Sequence, residues 1–246
     1  MPVMDEFREE REAIKQGTPR QKYQYFKDYY RTPLIIALLA ALFIGILLYQ
    51  LVSRKDSALY AVMLNCSPYQ ENEWFGEEYA EYTGIDLGEY SVTFDTGIYY
   101  KLNSTDEDSY VTIQKLDTYT GAGHLDVMLG GGDEFAHFAN SILFMDLRTV
   151  LTEEQLKKYE PYLYYIDASL IDLTAMETLK PEDYANPRKP EEMGDPIPVA
   201  IYVENSEKLN TAYYFKNAEN GIALGIYSNT SHADNAVALI DYLLSN

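Results

Sequence analysis

Cysteine is almost missing from this chain of 246 residues: Cys66 stands alone, which excludes any internal disulfide and any metal centre built on clustered thiolates. Histidine is nearly as scarce, at three residues, His124, His137 and His232. No phosphate-cradling loop, dinucleotide fingerprint or nucleophile elbow occurs, so the common signatures of nucleotide and hydrolase chemistry are absent. Cations are rare beyond the first quarter of the chain. From residue 53 to 246, twelve Lys and Arg face 33 Asp and Glu, a net charge of −21 against +1 for the residues before. Such a surface repels nucleic acid and anionic lipid, and no nucleic-acid partner is expected.

What the chain does have is one long run without charge. "PLIIALLAALFIGILLYQLV", residues 33 to 52, spans roughly 30 Å as a helix and matches the hydrocarbon core of a bilayer. Thirty-two mostly polar residues precede it, and no small-residue cleavage pattern follows it, so it reads as an uncleaved transmembrane anchor. Met63-Leu64-Asn65 before Cys66 lacks the small residue that lipoprotein processing needs. Seven cations (Arg8, Arg11, Lys15, Arg20, Lys22, Lys27, Arg31) lie before the helix, whereas only Arg54 and Lys55 follow it closely. The asymmetry places residues 1–32 in the cytoplasm and residues 53–246 outside, in a single-pass protein of the cell membrane. The arm reads as two helical pieces split at Gly17-Thr18-Pro19, with Tyr23, Phe26 and Tyr30 suited to the membrane interface or to a membrane-protein partner.

Beyond the anchor, "ALYAVMLN" (58–65) reads as a buried strand, and Ser67-Pro68-Tyr69-Gln70 as the capped start of a helix running to Tyr82. "EYSVTFD" (89–95), "LDVML" (125–129), "PVAIYV" (198–203) and "IALGIYS" (222–228) read as further strands. Helices are expected from Asp106 to Gly121, after the glycines at 130–132, from Thr152 to Pro161, and from Ser231 onward. "PEDYANPRKPEEMGDPIP" (181–198) holds five prolines and must cross as extended chain or loop. Strands alternating with helices indicate an α/β domain with a largely parallel sheet.

Gly131-Gly132-Asp133-Glu134-Phe135 spell the signature of the diguanylate cyclases. That family carries the letters on a tight hairpin, with an Arg just before them and an Asn-Asp pair upstream. Here Leu129-Gly130 precede them, no Asn-Asp pair exists, and a strand leads into a helix. A metal site is the next candidate, because His124 and Asp126 share one face of a strand while Asp133 and His137 stand four apart on a helix. Asp and Glu at a helix start are equally explained by dipole complementation, and no cofactor is expected. Nineteen of the 24 tyrosines lie beyond the anchor; an exposed stripe of them would stack on sugars, although half-buried packing is the commoner role.

"AGHLDVMLGGGDEFAHFANSILFMDLRTVLTEEQLKKYEPYLYYID" (122–167) resembles a run of extracytoplasmic solute-binding proteins, the type II periplasmic-binding fold, at Gly123, Asp126, Val127, Phe135, Ala139, Asp146 and Leu147. "GIALGIYSNTSHADNAVALIDYLLSN" (221–246) is similar to that family's closing segment, and "TPRQKYQYFKDYYR" before the anchor looks like small membrane-anchored proteins of Clostridia-type bacteria. The resemblance implies a two-lobed α/β domain, here short enough that its second lobe would be reduced. It also implies a non-enzymatic ligand-binding or sensing role, or a scaffold in a transporter or secretion assembly. In such domains ligands bind beyond the carboxyl ends of strands, against helix N-termini, which nominates Gly130, Gly131, Gly132, Asp133 and Glu134 as the binding rim.

Overall fold

The computed structural model describes residues 15, 17–27, 31–69, 72–102, 107–141, 143–171, 189–216, 218 and 221–245. The chain divides into two compact units, Met1–Arg54 and Lys55–Asn246. In the first, helix α1 (Pro19–Tyr25) opens with Pro19 at its first turn and with Thr18 N–H donating to Gln21 Oε1 at 2.9 Å. Helix α2 (Arg31–Val52) follows, and its stretch Arg31–Gln50 has a mean hydropathy of 2.5 and exposed apolar side chains. It is long and apolar enough to cross a membrane.

The second unit is a mixed α/β domain around one six-stranded sheet, in the order β3-β1-β4-β8-β6-β5. Its strands are β1 (Asp56–Leu64), β3 (Tyr90–Ile98), β4 (Val127–Gly131), β5 (Leu163–Asp167), β6 (Pro196–Tyr202) and β8 (Ile222–Ile226). Short strands β2 (Cys66–Pro68) and β7 (Tyr213–Phe215) pair separately as an antiparallel ribbon. β3, β1 and β4 pair in parallel; β8 enters antiparallel to both β4 and β6, so β6 runs the same way as β4, and β5 is antiparallel to β6. The expected largely parallel sheet is therefore corrected to a mixed one. A strand covered on both faces is apolar throughout whichever way it runs, so the pattern of "IALGI" carried no direction.

Side chains alternate cleanly across β1. Leu59, Ala61 and Met63 face one core, with Val127, Leu129, Leu224 and Ile226. Val62 and Leu64 face the other, with Met128, Phe135 and Ala223. Helices α3 (Glu73–Thr83) and α8 (Ala233–Leu244) cover the first face, where Phe75, Tyr79 and Tyr242 make edge-on ring contacts and Tyr79 Oη donates to Asn235 O at 2.7 Å. Gly84, at φ 74°, ends α3 in the left-handed region that favours glycine. Helices α4 (Glu107–Gly121) and α5 (Gly132–Ala139) lie toward the second core through Leu116, Phe135 and Phe138. Two short helices complete the order, α6 (Glu153–Tyr159), which opens with the expected Thr152–Gln155 capping box, and α7 (Glu207–Ala212).

Two further expectations change. Ser67-Pro68 does not cap a helix but belongs to β2, and α3 begins only at Glu73. A proline is tolerated at the end of a two-stranded ribbon, where no further strand needs its missing N–H. The proline-rich crossing is described only from Lys189, through a 3₁₀ turn at Pro190–Glu192, and its residues 181–188 lie outside the described residues. Pro196 and Pro198 join β6, yet β8 pairs with β6 only from Ala200 to Tyr202, so both prolines sit where one side of the strand is open. Among the described residues there is one principal sheet, beside the short β2–β7 ribbon.

Candidate functional site

The five residues nominated as a rim fall on the junction of β4 and α5. Gly130 and Gly131 are buried residues of the strand. A side chain at Gly130 would place its Cβ 3.1 Å from Leu64 Cβ and 3.4 Å from Phe135 Cδ2, so this glycine serves the close approach of β1 and α5. Gly131 is extended, and Gly132, at φ 63°, starts the helix in the left-handed region. Glu134 is half-buried; the side chain of Asp133 lies outside the described residues. A strand running into a helix differs from the hairpin that carries the cyclase signature.

Because β3, β1 and β4 run parallel, their carboxyl ends share one edge of the sheet. Asn65, just past β1 and in a left-handed conformation (φ 51°), clamps the end of β3: its Nδ2 donates to Tyr100 O at 2.7 Å and its Oδ1 accepts from Tyr100 N at 2.9 Å. The Tyr100 ring then stacks on His137 of α5, 5.6 Å between centroids. Burial, with the Glu134 carboxylate adding to it, pushes the Tyr100 phenol up. Burial alone pulls His137 below the usual histidine range, leaving a neutral imidazole at neutral pH. Outside these, Lys216 Nζ sits 5.7 Å from the centre of the Tyr99 ring. The edge thus offers a carboxylate, a neutral imidazole and a phenol beside the start of a helix. These can hydrogen-bond a solute.

The same edge continues across the antiparallel half. Gly131 pairs with Ile222 of β8, and Ala223 pairs with Tyr202 at the end of β6. Tyr202 contacts Tyr164 (5.3 Å between centroids), which contacts Phe135 (5.5 Å), so an aromatic chain joins β6 to α5. The Tyr202 hydroxyl and Glu204 Oε2 are both out of contact with solvent, and neither has a hydrogen-bond partner.

The proposed metal set is not assembled. Asp126 precedes β4, His124 is exposed beside it, and His137 lies past the other end of that five-residue strand, roughly 17 Å along it. Among the described residues no three His, Cys, Asp or Glu side chains come together to hold a metal. Asp126 instead pairs with a histidine that sequence reasoning did not connect to it. Its carboxylate, 1% exposed, accepts from Tyr60 N–H at 2.7 Å and from the Thr230 hydroxyl, and lies 3.0 Å from His232 Nδ1. Thr230 Oγ1 in turn accepts from His232 N at 2.9 Å, which fastens the entry to α8. The only available signal was an acid inside the apolar run "LDVML", since a buried carboxylate requires donors somewhere.

Comparison with protein-family models, with curated proteins and with solved structures finds no match to this chain.

Proposed function

We propose that this is a single-pass membrane protein whose α/β unit is an extracytoplasmic ligand-binding or sensing domain, solute-binding-like and non-enzymatic. The observation that carries the reading is the convergence of Asn65, Tyr100, Gly132, Glu134 and His137 at the carboxyl edge of the parallel strands. Ligands of open α/β sheets bind at such edges. The anchoring part rests on the charge-free run at residues 33–52, with seven cations before it and two just after it. The finer assignment, a type II periplasmic-binding fold with a reduced second lobe, draws on the resemblance at residues 122–167 and fits a domain with one principal sheet.

The test uses the full chain in lipid nanodiscs, melted against sugars, amino acids, short peptides and divalent metals. One class of solute raises the midpoint, and Glu134→Gln or His137→Ala removes that rise. A panel that leaves the midpoint unchanged refutes the reading. A C-terminal epitope is accessible to antibody on intact cells; an epitope reached only after lysis refutes the orientation.

A ligand-free accessory role in a transporter or secretion assembly is the second reading. It is favoured by the packing of Gly130 against Leu64 and Phe135, which narrows the open part of the edge. Detergent extraction that recovers no stoichiometric partner refutes it.

A further inference from the structure

Two unpartnered oxygens lie just past the middle of the sheet, Tyr202 Oη at the end of β6 and Glu204 Oε2 two residues on. The Cβ position at Gly221 lies 3.1 Å and 3.2 Å from Tyr202 Cδ1 and Cε1, and 3.4 Å from Glu204 Oε2. Glu204 and the Tyr202 ring therefore flank the same point, covered by a residue that has no side chain and holds φ 88°. A buried polar atom without a partner costs about 1–3 kcal/mol, and a native chain keeps very few of them. Two on side chains that flank one point, on the edge where the strands end, mark a place for something other than protein.

Their chemistry narrows the occupant. A carboxylate oxygen only accepts hydrogen bonds, while a phenol accepts or donates, so the group that serves both carries several N–H donors. A positive charge complements Glu204, and the aromatic rings of Tyr202 and Tyr164, in contact with 5.3 Å between centroids, favour a cation over an anion. An apolar solute would leave both oxygens bare, and an anion would meet Glu204 within a domain of net charge −21. We propose that Tyr202 and Glu204 form the polar end of a site for a small cationic amine, a solute bearing an ammonium or guanidinium group. This rests on the reading of the carboxyl edge as a binding edge. Both oxygens are sealed from solvent here, so the occupied form differs from this one around Gly221.

The test combines ligand and stability measurements on the full chain in nanodiscs of zwitterionic lipid. L-Arginine, L-lysine and putrescine are titrated against citrulline, which lacks the charge, and against glutamate. At least one cationic amine raises the melting midpoint, citrulline and glutamate do not, and Tyr202→Phe and Glu204→Gln each weaken the apparent affinity tenfold or more. Without ligand, Tyr202→Phe raises the midpoint, because it deletes an unpartnered hydroxyl and keeps the ring. If Tyr202→Phe lowers the midpoint, the hydroxyl has a protein partner and the inference is overturned. If no cationic amine stabilises the chain, it is likewise overturned. If a different solute stabilises the chain through Glu134 while both variants respond as the parent does, the binding edge stands and the amine assignment falls.

Discussion

Replacing Gly130 by alanine separates a glycine that packs a core from one that borders an open cleft. The new methyl would sit 3.1 Å from Leu64 Cβ and 3.4 Å from Leu64 Cδ2 and Phe135 Cδ2. Carbon atoms prefer roughly 3.5–4.0 Å, so the first contact is too close by about half an ångström. Leu64 Cβ is fixed to the neighbouring strand β1 and cannot swing away, so relief requires the strands to shift. Overpacking of this kind costs about 1–3 kcal/mol. Removing glycine from a strand returns about 0.5–1 kcal/mol, which leaves a net loss centred on about 1 kcal/mol and at most about 2.5 kcal/mol. For a domain of this size a loss of about 1 kcal/mol lowers the midpoint by roughly 2–4 °C. The sole tryptophan, Trp74 on α3, packs against the core, so its fluorescence follows unfolding of the α/β unit alone. Gly121→Ala is the control, since nothing lies within 4 Å of its Cβ position at the end of α4. It leaves the midpoint unchanged or raises it. A Gly130→Ala midpoint equal to or above the parent's refutes the packing argument.

Gly225→Ala is the more damaging change: its Cβ would lie 2.6–2.8 Å from three atoms of the Phe144 ring, which is held between Phe135 and Tyr227. Its midpoint falls below that of Gly130→Ala, and adding Phe144→Leu recovers part of the loss; a mild effect counts against the ring placement. Asp167 accepts from Ser169 N–H and Oγ–H, Gly194 N–H and Asp195 N–H, and these bonds hold its carboxyl down to about 2. A depressed carboxylate contributes stability that is fully present above about pH 4, near its unfolded value, and lost as pH falls toward 2. Asp167→Asn therefore costs about 1–3 kcal/mol at neutral pH, by turning an N–H₂ toward an N–H donor, and flattens the acid limb of a urea-midpoint profile between pH 4 and 2. An unchanged acid limb rejects this account. Burial pushes the Cys66 thiol up to about 12, so the folded chain resists maleimide at pH 7 and reacts once unfolded in urea. Fast labelling of the folded chain contradicts that burial.

Local chemistry was readable where it decides local structure. The helix after β4, the capping box at Thr152 and the glycine stop at Gly84 all follow from residues within one turn of each other. Strand direction was not readable, because β8 pairs with partners far away in sequence and its five residues are buried on both faces. The β2–β7 ribbon was hidden for a related reason: Ser67-Pro68 has good helix-start chemistry, and only the distant Tyr213–Phe215 draws it into a ladder. At the site, the nominated glycines were found on the correct strand-to-helix junction, but their spacing says nothing of Leu64, which fills the space beside Gly130. Asp126 stood out in the sequence only as a metal-ligand candidate and a position of the family resemblance, and its partner His232 lies 106 residues away. Tyr202 and Glu204 gain meaning only from Gly221 folding over them.

The position of β8 also orders events in time. It stands between β4 and β6, at the middle of the sheet, and is synthesised after every other strand there. Until residues 222–226 arrive, β3-β1-β4 and β6-β5 are two fragments with bare edges, and no partial sheet can close early. Because Leu224 and Ile226 belong to one core and Ala223 to the other, neither core is complete until β8 is in place. Insertion of β8 between the two fragments joins the sheet at its middle, as the last step rather than the first.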